Sequence, residues 1–70
     1  MSLAEKVKIL RRQHLALSQW ELAKELDVNP LTVSRWERGV TEPSLASLRK
    51  LADLAGEPVI WFFTEDGVAA

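Results

Sequence analysis

Residues 18–39 read SQWELAKELDVNPLTVSRWERG, and this stretch decides the fold. Ser18-Gln19-Trp20-Glu21 is a capping box: the Ser18 hydroxyl can accept from the Glu21 amide while the Glu21 carboxylate reaches back to the Ser18 N–H. A helix therefore starts at Gln19. At about 100° per residue, Leu22, Ala23 and Leu26 gather on one side, with Glu21, Lys24 and Glu25 opposite. Only Asp27-Val28-Asn29 separates this helix from the next, which Asn29 caps and Pro30 opens at a position where a missing N–H costs nothing. The second helix of the pair runs to about Arg38, with Gly39 as its left-handed stop. Two helices joined so tightly cross steeply, and Ala23 is small where the second must pass close.

The helix from Pro30 to Arg38 divides cleanly on a wheel. Val33, Trp36 and Glu37 fall on one side, Leu31, Ser34, Arg35 and Arg38 on the other, and Thr32 at the edge of the latter face. A helix held by one face and presented by the other, on a tight turn, is the geometry with which helix-turn-helix proteins enter a DNA major groove.

The flanking sequence supplies three more helices. Ser2-Leu3-Ala4-Glu5 is a further capping box, opening a first helix to about Arg12 with Val7 and Leu10 facing the core, and Leu15 and Leu17 closing its lower end. After Val40-Thr41-Glu42-Pro43, Ser44 caps a fourth helix whose apolar face is Leu45, Leu48, Leu51, Ala52 and Ala55, stopped by Gly56. Pro58 then opens a short fifth helix, Val59 to Phe63. The expectation is an all-α, compact five-helix domain over residues 1–64 with a short tail, 65–70.

Composition narrows the function. A chain of 70 residues buries only roughly 60% of its unfolded surface, so caps matter. With no cysteine, neither a disulfide framework nor a thiolate zinc site can staple it, and no metal or cofactor is expected. The apolar runs are too short to span a bilayer and MSLAEKVKIL lacks the features of a signal peptide, which makes cytoplasmic residence the default. A single histidine, His14, expected exposed in a loop, and carboxylates such as Glu21 and Glu25 on a solvated helix face do not make a catalytic site. The net charge of −1 weighs against nucleic acid, but its distribution does not. Residues 1–50 hold all nine Lys and Arg against six acids, a balance of +3, whereas residues 51–70 hold four acids and no cation. An anionic duplex is attracted to the N-terminal half.

The order of these motifs carries a resemblance. Ser18-Gln19, then Glu21-Leu22-Ala23, Thr32-Val33-Ser34-Arg35-Trp36-Glu37-Arg38-Gly39, Pro43-Ser44 and Trp61-Phe62-Phe63 resemble the Cro/C1-type (phage-repressor-like) helix-turn-helix family over roughly residues 4–63. The resemblance implies a lambda-repressor-like DNA-binding domain, usually dimeric, with the third helix in the major groove and the amino end of the second on the phosphate backbone. It also pairs Glu37 with an arginine of the first helix. Arg11 continues the Val7-Leu10 register, whereas Arg12 matches on counting back from Gln19, because one extra residue precedes the second helix. Two positions depart from the family pattern. Asp27 stands where glycine is common in the central turn and can still enter a left-handed conformation. Ala16 also replaces a usual glycine, and since alanine tolerates positive φ poorly, that loop is expected to take another path.

Base readout falls to Leu31, Thr32 and Arg35, near the start of the exposed face of the third helix. Arg35 can chelate the two acceptors of guanine, while Leu31 and the Thr32 methyl can pack on a thymine methyl. Backbone contacts fall to Gln19, Asn29, Ser34, Arg38 and Thr41, although Asn29 serves equally as a cap and Arg38 can neutralise its helix end. Phe62 and Phe63 are the candidates for a homodimer contact, with one of them free to complete the core instead. A dimer of this kind reads a palindromic operator whose half-sites lie roughly 10 bp apart, and repression by promoter occlusion is the simplest mechanism. The alternative is a protein-interaction module, or an antitoxin-like partner protein, that keeps the scaffold with weak DNA binding. Trp36 and Trp61 read as core. Trp20 has three open roles: packing on the preceding loop, approaching the DNA backbone, or meeting a protein partner.

Overall fold

In the computed structural model, which describes residues 1–64, side-chain caps set the start of every α-helix. These are α1 (Leu3–Ile9), α2 (Gln19–Leu26), α3 (Pro30–Arg38) and α4 (Leu45–Ala55), followed by a 3-10 turn, Val59–Phe63. Thus four α-helices and a 3-10 turn stand where five helices were expected, and the tail over 65–70 lies outside the described residues. Both capping boxes close in both directions, the Glu21 amide donating to Ser18 Oγ at 3.0 Å and the Ser18 amide to Glu21 Oε1 at 2.8 Å. The backbone N–H of Ser18, and then its hydroxyl, hold the Glu21 carboxyl below its ordinary value of 4.5, and Ser2 acts likewise on Glu5. With the folded value lowered, the stability each box adds is present above pH 4.5 and fades as pH falls through the folded value. Asp27, Gly39 and Gly56 end α2, α3 and α4 in the left-handed conformation.

The first helix departs from expectation. It does not stop near Arg12 but passes into a π-helical turn, Leu10–His14, in which the Leu15 amide donates to the Leu10 carbonyl at 3.0 Å. A π turn spaces its bonds five residues apart, so it absorbs one residue more than an α turn. The turn leaves Arg11 directed at α3, with Leu15 and Leu17 packed on the core beyond it. Ala16 then takes φ of +53°, so the loop follows the left-handed path that glycine would favour, contrary to the expected detour. The bond from the Leu17 amide to the Arg11 carbonyl, at 3.0 Å, holds it there. Such a conformation costs an L-residue roughly 1–2 kcal/mol. Ala16→Gly should therefore gain about 0.5–1 kcal/mol after the entropy glycine adds to the unfolded chain, seen as a rise of a few degrees in Tm. An unchanged or lowered Tm would show that the strain is relieved elsewhere.

The core is one cluster drawn from every element. Val7, Leu10, Leu22, Val33 and Leu51 are fully buried, and Trp36 and Phe62 complete it. Leu45, expected on the inner face of α4, is largely exposed instead; Leu48, Leu51 and Ala52 carry that face. Lys6 is buried at 4% exposure, a feature the sequence reading passed over. Its stem occupies the apolar stripe between Leu3 and Leu10, and its ammonium donates to the Trp61 carbonyl at 3.1 Å while lying 4.5 Å from the centre of the Trp61 ring. His14 also meets this ring edge-on, at 5.2 Å between centroids, with Glu57 Oε1 3.9 Å from its Nδ1. The histidine expected to stand alone thus helps fasten the C-terminal turn.

Candidate nucleic-acid interface

Helix α3 is positioned by its buried side. Val33, Trp36 and Glu37 are all buried, the last at the cost of desolvating a carboxylate, and that cost is offset by a dense set of donors. Arg11 binds Glu37 bidentately, Nε to Oε2 at 2.6 Å and Nη2 to Oε1 at 2.9 Å. A fork of two parallel bonds fixes orientation as well as distance. Arg11 Nη1 also donates to the Leu17 carbonyl at 2.9 Å, so one guanidinium ties the π-helical turn, the loop before α2 and the last turn of α3. Between the two arginines that register left open, Arg11 makes the pair and Arg12 is exposed.

Gln19 joins this network. Its Nε2 donates to Glu37 Oε1 at 3.0 Å, which places the first turn of α2 against the last turn of α3. The side chain assigned from sequence to a phosphate is therefore partly engaged inside the protein, leaving its carbonyl oxygen and the free amides at the start of α2 for outside partners. Nothing in the sequence signalled this bond, since it joins residues 18 apart through a fold contact.

The other face of α3 is presented outward. Leu31 and Arg35 are exposed and Thr32 is half-buried at its amino end, so the three candidate base readers share one open edge. Asn29 acts as the cap, its Oδ1 accepting from the Leu31 amide at 2.8 Å, which leaves its side-chain NH2 as an outward donor. One turn along, Arg38 Nε donates to Ser34 Oγ at 3.2 Å, bringing these two candidate backbone contacts together. Thr41 is exposed in the turn beyond Gly39. The outer edge of α3 thus runs from an apolar and hydroxyl end at Leu31 and Thr32 to two cations, Arg35 and Arg38. Acceptors on base edges and phosphates are the chemistry such an edge suits.

The proposed dimer residues do not stay together. Phe62 is 4% exposed and belongs to the core, packing edge-on against Trp61 at 5.1 Å, so it is removed from the interface and serves the fold. Phe63 is 63% exposed, since at three residues per turn it stands about 120° round from Phe62.

The sequence profile of the helix-turn-helix family matches residues 7–62, which span α2, α3, α4 and most of the remaining core elements. No curated protein and no solved structure matches the chain.

Proposed function

Since the chain belongs to the Cro/C1-type helix-turn-helix family, a family of DNA-binding regulators, we propose that it binds double-stranded DNA sequence-specifically with α3 in the major groove. The observation that carries this reading is the division of α3 into a locked inner side and an open outer edge of Leu31, Thr32, Arg35 and Arg38. In this reading Leu31, Thr32 and Arg35 meet base edges, while Asn29, Ser34, Arg38, Thr41 and the amino end of α2 at Gln19 meet phosphates. The chain acts in the cytoplasm as a repressor by promoter occlusion, a binding module without catalysis. A homodimer joined through the exposed Phe63 side of its C-terminal turn would read a palindromic operator.

Selection from a randomised duplex library, followed by a salt titration on the recovered site, tests the reading. Phosphate neutralisation gives a negative slope of log affinity against log salt, of roughly 0.9 per phosphate contacted. A flat slope would favour the protein-interaction reading, which the exposed Leu31 at the tip of α3 supports. On the selected site, Arg35→Ala should lose roughly 1–3 kcal/mol of discrimination at one base pair, measured with single-substitution duplexes. Equal loss on all of them would make Arg35 a phosphate ligand.

A further inference from the structure

Trp20 is the most exposed large apolar side chain of the described residues, at 73%, whereas Trp36 is buried and Trp61 is clasped by Lys6 and His14. It follows Gln19 in the first turn of α2, the turn that the Gln19–Glu37 bond sets beside the last turn of α3. That last turn carries Arg38 outward. Round the helix, Trp20 stands about 60° from the buried Ala23 and about 40° from exposed Lys24, on the flank away from Glu25. Glu21, the nearest acid in sequence, is turned back onto the Ser18 amide. The indole therefore stands free beside Lys24 in the first turn of α2, the turn whose Gln19 is bonded to the last turn of α3. A tryptophan there offers one neutral donor on a rigid, flat body, suited to an acceptor-only partner that is flanked by an apolar surface. A phosphate oxygen beside a deoxyribose is such a partner.

We infer that the Trp20 indole N–H donates to a DNA phosphate, with its ring laid on the neighbouring sugar, extending the backbone contacts from Gln19 at the amino end of α2 onto the flank of that helix. The inference rests on the DNA-binding reading above. Because Trp20 is exposed, its replacement leaves the fold intact, so affinity can be read without loss of structure. Trp20→Phe keeps an aromatic body and removes the donor, while Trp20→Ala removes both. Trp20→Phe is expected to bind the selected duplex and its single-substitution relatives roughly tenfold more weakly than the parent and Trp20→Ala more weakly again, each uniformly across sequences, with Tm and salt slope unchanged. In the parent chain, saturating duplex should also shield the exposed fraction of tryptophan fluorescence from acrylamide, and that fraction should be missing in both variants. If the parent binds DNA with a negative salt slope but Trp20→Phe binds equally well, or acrylamide reaches Trp20 as readily in the complex, this inference falls and the DNA-binding reading stands. If the parent binds no duplex, both fall together.

Discussion

Replacing Arg11 by alanine is expected to cost about 3–5 kcal/mol of folding stability, the range for leaving one member of a buried ion pair unpartnered. The Glu37 side chain is 2% exposed, and two of its three hydrogen bonds come from Arg11. With the guanidinium gone, the Gln19 amide alone faces a buried carboxylate, and the Leu17 carbonyl loses its donor as well. A domain of this length has a total stability on the order of 4–10 kcal/mol, so a loss of about 3–5 kcal/mol removes a large share of it and should lower the denaturation midpoint sharply. The double replacement Arg11→Met with Glu37→Leu removes both charges and keeps apolar volume, and should recover most of the loss. Urea denaturation of the parent, the single variant and the double variant measures this directly. A single variant within about 1 kcal/mol of the parent, or a double variant worse than the single, would show that the pair is not what holds α3. The expected result also bears on function, since the bond that holds Glu37 inward sets the angle at which Arg35 and Arg38 face out.

What could be read before the fold was known follows a physical rule. Caps and stops are local: Ser2 with Glu5, Ser18 with Glu21, Asn29 with Pro30, and Gly39 each involve groups within four residues, and each appears where sequence placed it. The inward and outward sides of α3 were equally legible, because helical periodicity alone assigns them. Choices that depend on tertiary register were not. Whether Arg11 or Arg12 meets Glu37 turns on the path of the chain between α1 and α2, and a π turn and an α turn ending in a longer loop have the same sequence signature. Ala16 defeated a propensity argument because the packing of Leu15 and Leu17 on either side, with the Leu17 amide bonded to Arg11, outweighs a cost of roughly 1–2 kcal/mol. Lys6 was legible in principle, since it falls on the i, i+3, i+7 stripe with Leu3 and Leu10, although a lysine is rarely buried without a partner that only the fold supplies. The engagement of Gln19 with Glu37 had no local signal at all.

Phe62→Ala should be as damaging as the loss of Arg11, by about 3–5 kcal/mol, while Phe63→Ala should alter the stability of the isolated domain by no more than about 0.5 kcal/mol. The two neighbours differ only in what they face. Phe62 fills the core next to Trp61, and its removal opens a cavity at the junction of α1, α4 and the C-terminal turn. It also takes away one wall of the Trp61 ring, whose other contacts are the Lys6 ammonium and the edge of His14, so the buried cation loses part of its support at the same time. Phe63 has little of this to lose at 63% exposure. Its effect belongs to association: if the homodimer uses this turn, Phe63→Ala should raise the concentration at which dimers form in sedimentation equilibrium while leaving the melting of dilute protein unchanged. Thermal melts of both variants at several concentrations separate the two roles, because core loss lowers Tm at every concentration and interface loss removes its concentration dependence. A Phe62→Ala variant that melts like the parent would return Phe62 to the surface, and a concentration-dependent Tm that survives Phe63→Ala would move the dimer contact elsewhere on the domain.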